Sequence, residues 1–372
     1  MKVIFALEMT PLHNSVKGRK DHIFERLSKG YKVVYISKME NILSIIKNHP
    51  KGFLKYLTLE IIKQDENYYR VSLPAFFFPM ANVFRWINKI NTLILGLFVS
   101  FVRRKIDIKK VDIWWIGYPY AVDFLKDKKF IVYDCFDEHL GWEGYYLKNT
   151  VRKIEQDLIR LADLSIFSAS KLLENKGKFA KKTSLILNGT DYNHFHMPPK
   201  KSNNNSKIIL YSGVISNWFD TDLMEYCIDV LNEYTFWFVG PDRGNYLRQI
   251  RTYKNVEYFG LQDYTRLPDY YHKAQVCIIP FKIESLIENT NPIKLYEYLS
   301  SGKPIVTTKF PEAIKYKDDV YIANDKNEFV KLIITACDEN SIEKINSRQQ
   351  LAFENSWDNR VKKIVEQFDL LK

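Results

Sequence analysis

Residues 276–308 read VCIIPFKIESLIENTNPIKLYEYLSSGKPIVTT. Val276 to Pro280 is apolar and closed by a proline, the pattern of a short buried strand. A polar loop over 282–290 follows. Asn291 fits an N-cap, with Pro292 in the first helical position, and Ile293, Tyr296 and Leu299 fall on one face of the helix this predicts. Gly302 stops that helix, and Pro304 opens the next apolar run, Ile305-Val306. Strand, polar loop, short helix and strand make a βαβ unit, which binds ligands at the carboxyl ends of its strands.

Lys294 stands in the first turn of that helix, where the dipole favours negative charge by about 0.3–1 kcal/mol. A lysine there fits an anion docking at the same end, and phosphate is the usual guest. Glu297 is three residues on, nearly on the same face, and suits sugar hydroxyls as in ribose recognition. Taken alone, the two also read as a surface ion pair.

The stretch resembles the donor-site motif of GT-B glycosyltransferases, especially the large retaining group called family 4. There a Glu, seven residues and a second Glu frame the nucleotide-sugar, before a small residue–Gly–x–Pro–Val/Ile turn. Here the second acid is Glu297 and the turn is Ser301-Gly302-Lys303-Pro304-Ile305-Val306. The first acid's position holds Asn289, with Glu288 one residue off register. The form NPIKLYEYLSSGKPIV is similar to a subgroup tied to teichuronic-acid, capsule and related cell-surface glycan assembly.

The resemblance implies an α/β GT-B fold: two Rossmann-like domains facing across a cleft, with a C-terminal helix crossing back to the first. Residues 1–190 would form the acceptor-binding domain, with 355–372 returning to it, and 206–354 the donor-binding domain. It implies a hexosyltransferase-type enzyme that takes a UDP- or GDP-type nucleotide-sugar and a glycan or lipid-linked acceptor, with no cofactor and no metal. A nucleotide-sugar epimerase of the same shape and a non-catalytic scaffold are the rival readings. Donor sugar, base, acceptor and retaining or inverting outcome stay open.

Composition agrees with two domains. The chain has 372 residues, 46% of them hydrophobic, so each half can bury a core. Its 55 Lys+Arg against 44 Asp+Glu leave a net +11, which calls for an anionic partner such as a phosphate-bearing substrate or an acidic membrane. The charge is spread along the chain rather than gathered in basic tails, so nucleic acid is not expected. Cys135, Cys227, Cys277 and Cys337 are far apart and form no CxxC, which fits free thiols in a reducing compartment. MKVIFALE is apolar too briefly for a signal peptide and reads as a first strand. The expected location is cytoplasmic, or peripheral on the inner face of the cell membrane.

In the N-terminal half, a strand ending at Leu7 leads to a loop over 8–19 that carries His13, then a helix and a strand over 33–36, without GxGxxG. In GT-B enzymes this loop faces the cleft. Arg19 and His22 resemble the subgroup's R-x-x-H at the helix start; a solvated helix start is the plain alternative. Residues 75–110, AFFFPMANVFRWINKINTLILGLFVSFVRRKIDIKK, combine aromatics, an apolar run over 93–102 and flanking cations. That run is far short of the ~20 residues a spanning helix needs. It reads either as a core helix with a basic solvent face or as a segment in the interface of an acidic membrane.

A strand from Phe130 empties into Asp134-Cys135-Phe136-Asp137-Glu138-His139, at the edge where parallel sheets bind ligands. This resembles the family's Tyr-Asp-x-x-Asp signature in the acceptor lobe. An inverting enzyme would need a proton acceptor here, with Asp137 ahead of Glu138, His139 and Asp134. A retaining one would let the departing phosphate take the proton. Glu155 and Asp163 match structural positions of the family, and Asn188-Gly189-Thr190-Asp191 with Phe195 matches its "NGvD…F" marker. Residues 198–206 are a linker by composition. Gly213 follows the next strand and lets the backbone approach a diphosphate. The cations usual after it are absent, which throws phosphate binding onto Lys294, backbone amides and Arg243. Tyr264 is the candidate for stacking on the base, with Asn289 and Asn291 near the donor. Ser356 caps a last helix.

Overall fold

The computed structural model describes residues 1–8, 16–37, 41, 43, 45–46, 53–81, 83–138, 148–199 and 207–370. The chain divides into two units, Met1–Ile186 and Leu187–Lys372, each built on its own sheet.

The first unit contains β1 (Val3–Leu7), β2 (Lys32–Ile36), β3 (Glu60–Asp65), β4 (Tyr68–Ser72), β5 (Ile113–Ile116), β6 (Ile131–Cys135), β7 (Leu164–Phe167) and β8 (Thr183–Leu185). They lie in the order β3-β4-β2-β1-β5-β6-β7-β8. Among these described strands only the β3–β4 pairing is antiparallel. The central strands are apolar and buried along their length, as parallel strands covered on both faces must be. The chain winds from β1 out through β2 and returns on the other side at β5, so β1 and β5 flank the point where strand order reverses. Phe5, Val34, Trp114 and Tyr133 are among the side chains that fill this core. The β3–β4 hairpin is an addition to the strands expected from sequence.

The second unit contains β9 (Ile208–Ser212), β10 (Thr235–Val239), β11 (Val256–Gly260), β12 (Val276–Ile279), β13 (Ile305–Thr308) and β14 (Tyr321–Ala323). All pairings are parallel, in the order β11-β10-β9-β12-β13-β14. This is a doubly wound sheet, and its order reverses between β9 and β12. The helix Ile293–Ser301 connects β12 to β13 and ends at Gly302, whose φ of +73° is the left-handed cap glycine accepts most easily. Ser356 caps the helix Trp357–Asp369 as expected, accepting from Asn359 N.

Two local expectations are corrected. The helix starts at Ile293 with Pro292 as its N-cap residue, and the Asn291 side chain caps nothing there. The segment expected to be a loop over 282–290 contains a short helix, Ser285–Glu288. Residues 187–190 and 355–372, both given to the first domain by the sequence reading, group with the second unit. Thr190 N donates to Asn355 O at 3.3 Å, Trp357 N donates to Thr190 O at 2.9 Å, and Arg360 Nε donates to Asn188 O at 3.1 Å.

Candidate functional site

In the second unit, the reversal of strand order brings the carboxyl ends of β9 and β12 together beside the start of the helix Ile293–Ser301. Lys294 lies in the first turn, and its ammonium stands over two rings, 3.7 Å from the Tyr211 centroid and 5.0 Å from that of Phe281. Tyr211 belongs to β9 and Phe281 follows β12, so both switch strands hold the cation through their ring faces. Among the described residues the ammonium has no hydrogen bond and no ion-pair partner at contact distance. Burial drives its pKa down to about 7, and Glu297 opposes the fall.

Glu297 is one turn further along. Its Oε2 accepts from Tyr271 OH at 3.0 Å. Burial raises its pKa to about 7, against the lowering effects of Tyr271 and Lys294. Thus a lysine and a glutamate share one end of a helix without neutralising each other. Tyr298 fixes the helix on the strand, its OH accepting from Ser212 N at 2.7 Å. No described side chain caps the helix start, and of its first turn only Leu295 N donates within the chain, to Pro292 O at 3.2 Å.

Gly213 follows β9 with φ +131°, and a Cβ on it would lie 2.8 Å from Lys294 Nζ. Gly240, after β10, backs it: a Cβ there would lie 2.1 Å from Gly213 O. The end of β9 is thus bare backbone beside the cation, backed by the glycine that ends β10. A lysine over ring faces, an uncapped helix start and a carboxylate are the donors and acceptor that a diphosphate and a ribose need.

The other residues expected at the donor end have different roles. Asn289 closes the short helix before it, its Nδ2 donating to Ser285 O at 2.7 Å. Asn291 is buried: its Oδ1 accepts from Asn188 N at 2.8 Å, and its Nδ2 donates to Tyr296 OH at 2.9 Å and Glu312 Oε2 at 3.3 Å. Both amides hold protein. Arg243 is exposed, its backbone N donating to Ile215 O at 2.8 Å. Tyr264 has one ring face stacked on His194 at 4.5 Å and 10°, which leaves at most the other for a ligand.

In the first unit, the corresponding reversal between β1 and β5 presents Glu8 and Gly117. Glu8 is only 2% exposed, and its Oε1 has no hydrogen-bond partner among the described residues. Lys20 Nζ lies 3.7 Å from Oε2. Burial raises Glu8 to about 7 and lowers Lys20. A Cβ on Gly117 would lie 2.2 Å from Glu8 Oε2, so the glycine makes room for the carboxylate. Sequence reading passed over Glu8; its signal was an acid directly after the first apolar strand.

Asp134 and Arg19, expected to face the acceptor, form a buried ion pair, with Arg19 Nη2 to Asp134 Oδ1 at 2.9 Å, while Arg19 Nη1 donates to Ile186 O. Glu138 accepts from Lys176 Nζ at 3.1 Å, and Lys176 also binds Glu155 at 2.9 Å. His22 is buried within the helix Arg19–Leu27. Asp137 is half-buried and its Oδ1 accepts from Glu138 N at 2.9 Å. His13 and His139 lie outside the described residues. The structure therefore gathers Lys294, Glu297 and Gly213 at one sheet edge, and puts Asp134, Arg19 and Glu138 into ion pairs.

Residues 206–339 match the family model described as Glycosyl transferases group 1. TuaH of Bacillus subtilis (strain 168), which carries the name of a teichuronic acid biosynthesis glycosyltransferase, is 24% identical over 229 residues. That match covers 56% of this chain and 58% of TuaH, less than two thirds of the relative's length. Sucrose-phosphate synthase (tll1590) from Thermosynechococcus elongatus superposes with a TM-score of 0.73 at 15% identity, over 100% of this chain and 99% of that one. Anabaena Alr3699/HepE in complex with UDP and glucose gives 0.68 at 12% identity, over 99% of each chain. The mixed α/β architecture with two largely parallel sheets is the GT-B fold of these neighbours.

Proposed function

We propose, from the premise that this chain is of the GT-B glycosyltransferase kind with a group 1 domain over 206–339, that it transfers a sugar from a nucleoside-diphosphate donor to an acceptor in cell-surface glycan assembly. The observation that carries this is Lys294: a shielded cation with no contacting counter-ion among the described residues, at an uncapped helix start, beside the bare backbone of Gly213. A site so made is completed by an anion. Diphosphate entering it restores the full charge of the ammonium, and Glu297 one turn on accepts from ribose hydroxyls.

In the transfer, the bond from the anomeric carbon to the diphosphate oxygen breaks and a bond to the acceptor oxygen forms. The acceptor's proton passes to a carboxylate or to the departing phosphate. Lys294 and the helix amides stabilise the charge on the leaving group, which is where such help lowers the barrier. The acceptor-side carboxylates of this reading are Asp137, at the end of β6, and Glu8, at the end of β1. The UDP held by HepE favours a UDP-type donor, and the name of TuaH favours a cell-surface glycan acceptor, which this reading takes to be lipid-linked. No resident metal is called for.

Calorimetry with UDP, GDP, CMP and TDP against wild type, Lys294→Ala and Glu297→Ala tests the donor site. One diphosphate binding selectively, with loss in both variants, is the expected result. Well-folded wild type that binds no nucleotide overturns the reading and favours a scaffold.

A further inference from the structure

The helix Arg85–Lys105 in the first unit has two opposed faces. Ile87, Asn91, Leu95, Val99 and Val102 are buried. Trp86, Ile90, Leu93, Leu97 and Phe101 follow one another at helical spacing on the other side and are exposed, Leu93 and Leu97 at 72% and 73%. The preceding loop adds Phe76 and Phe78, both more than half exposed. This display is built into the fold. Asn91 clamps the loop to the helix, its Oδ1 accepting from Phe78 N at 2.7 Å and its Nδ2 donating to Phe78 O at 2.9 Å. Phe77 packs inward on Phe98, ring centroids 6.1 Å apart. An apolar surface held out so firmly marks a docking face.

Charge identifies what covers it. Residues 75–110 contain seven Lys and Arg against a single acid, Asp107. Lys89, Arg104 and Lys105 are exposed along the same side as the stripe. A second copy docked on the same face about a two-fold axis would bring cation against cation. No described helix is long and apolar enough to cross a membrane, and this one, about 31 Å long, fits an orientation in the membrane plane. We propose that this face lies on a bilayer rich in anionic phospholipid, with the leucines and aromatic rings at the headgroup–acyl boundary and the cations on lipid phosphate. The inference deepens the reading of a lipid-borne acceptor, and its test does not depend on that reading.

The full chain is floated with phosphatidylcholine vesicles with and without phosphatidylglycerol. Wild type is expected to bind the anionic vesicles, and to release as salt rises. Leu93→Ser/Leu97→Ser is expected to bind roughly tenfold or more weakly. Lys89→Gln/Arg104→Gln/Lys105→Gln is expected to lose roughly fivefold per cation on anionic vesicles only. Circular dichroism and nucleotide calorimetry on the same preparations report folding and the donor site separately. Three results overturn the proposal: wild type that does not float, a leucine variant that floats equally, or a wild-type dimer that the leucine variant dissolves without any vesicle binding.

Discussion

Gly213 and Lys294 share one space: a methyl group on the glycine would lie 2.8 Å from the lysine ammonium and 2.9 Å from its Cε. The glycine also stands at φ +131°, which side chains rarely adopt. Gly213→Ala is therefore expected to cost about 1–3 kcal/mol of stability. It is also expected to weaken nucleotide binding about tenfold by displacing the cation from its rings. Thermal unfolding and calorimetry measure the two effects separately. An alanine variant that binds nucleotide like wild type would remove Lys294 from the binding site.

Lys294 and Glu297 should make nucleotide binding and stability depend on pH around neutrality. Lys294 falls from 10.5 to about 7 in the empty site, so the ammonium a diphosphate needs is present below pH 7 and declines above it. Affinity is expected to fall by up to about tenfold per pH unit above 7, with a proton taken up on binding, visible in calorimetry with buffers of different ionisation enthalpy. For the empty protein, Glu297 is raised from 4.5 to about 7, so its contribution is full below pH 4.5 and lost as pH rises to 7. Lys294 is depressed, so its contribution is full above pH 10.5 and lost as pH falls to 7. The pair contributes least near pH 7. Subtracting the stability profile of Lys294→Met/Glu297→Gln from that of wild type should leave a minimum there, and a flat difference would count against both shifts.

Gly117 and Glu8 form a matched pair at the other sheet edge. Gly117→Ala forces a methyl to 2.2 Å from an oxygen of the buried Glu8 carboxylate, which must then be displaced. The cost is expected at about 1–3 kcal/mol. Adding Glu8→Ala should recover most of it, and a double-mutant cycle by denaturant unfolding gives the coupling. Additive losses would mean that the glycine serves something other than the glutamate.

Much of the second unit was legible in the sequence because its signals are local. The stop at Gly302, the cap at Ser356 and the placement of Lys294 and Glu297 on one helix end depend on residues a few positions apart. Asn291 was misread because an amide before a helix serves equally as a cap or as a clamp. Its partner Asn188, 103 residues away, decides between them. Asp134 and Glu138 were read as acceptor-facing for the same reason: Arg19 is 115 residues from Asp134, and Lys176 is 38 from Glu138. An acid at a strand end looks free until the chain brings its cation. Glu8 was the reverse case, a strand-end acid noted only as the end of an apolar run. In 75–110 the apolar content was plain, but which side of the helix meets water is settled only by what packs on the other.

The bonds among Asn188, Thr190, Asn355, Trp357 and Arg360 stitch the start of the second unit to the root of its last helix, which runs on to Asp369. A Cβ on Gly189 would lie 2.5 Å from Asn355 O, so the two stretches are fitted against each other as closely as core residues. The last helix is therefore anchored at its root, and whatever strains residues 188–190 is felt there first.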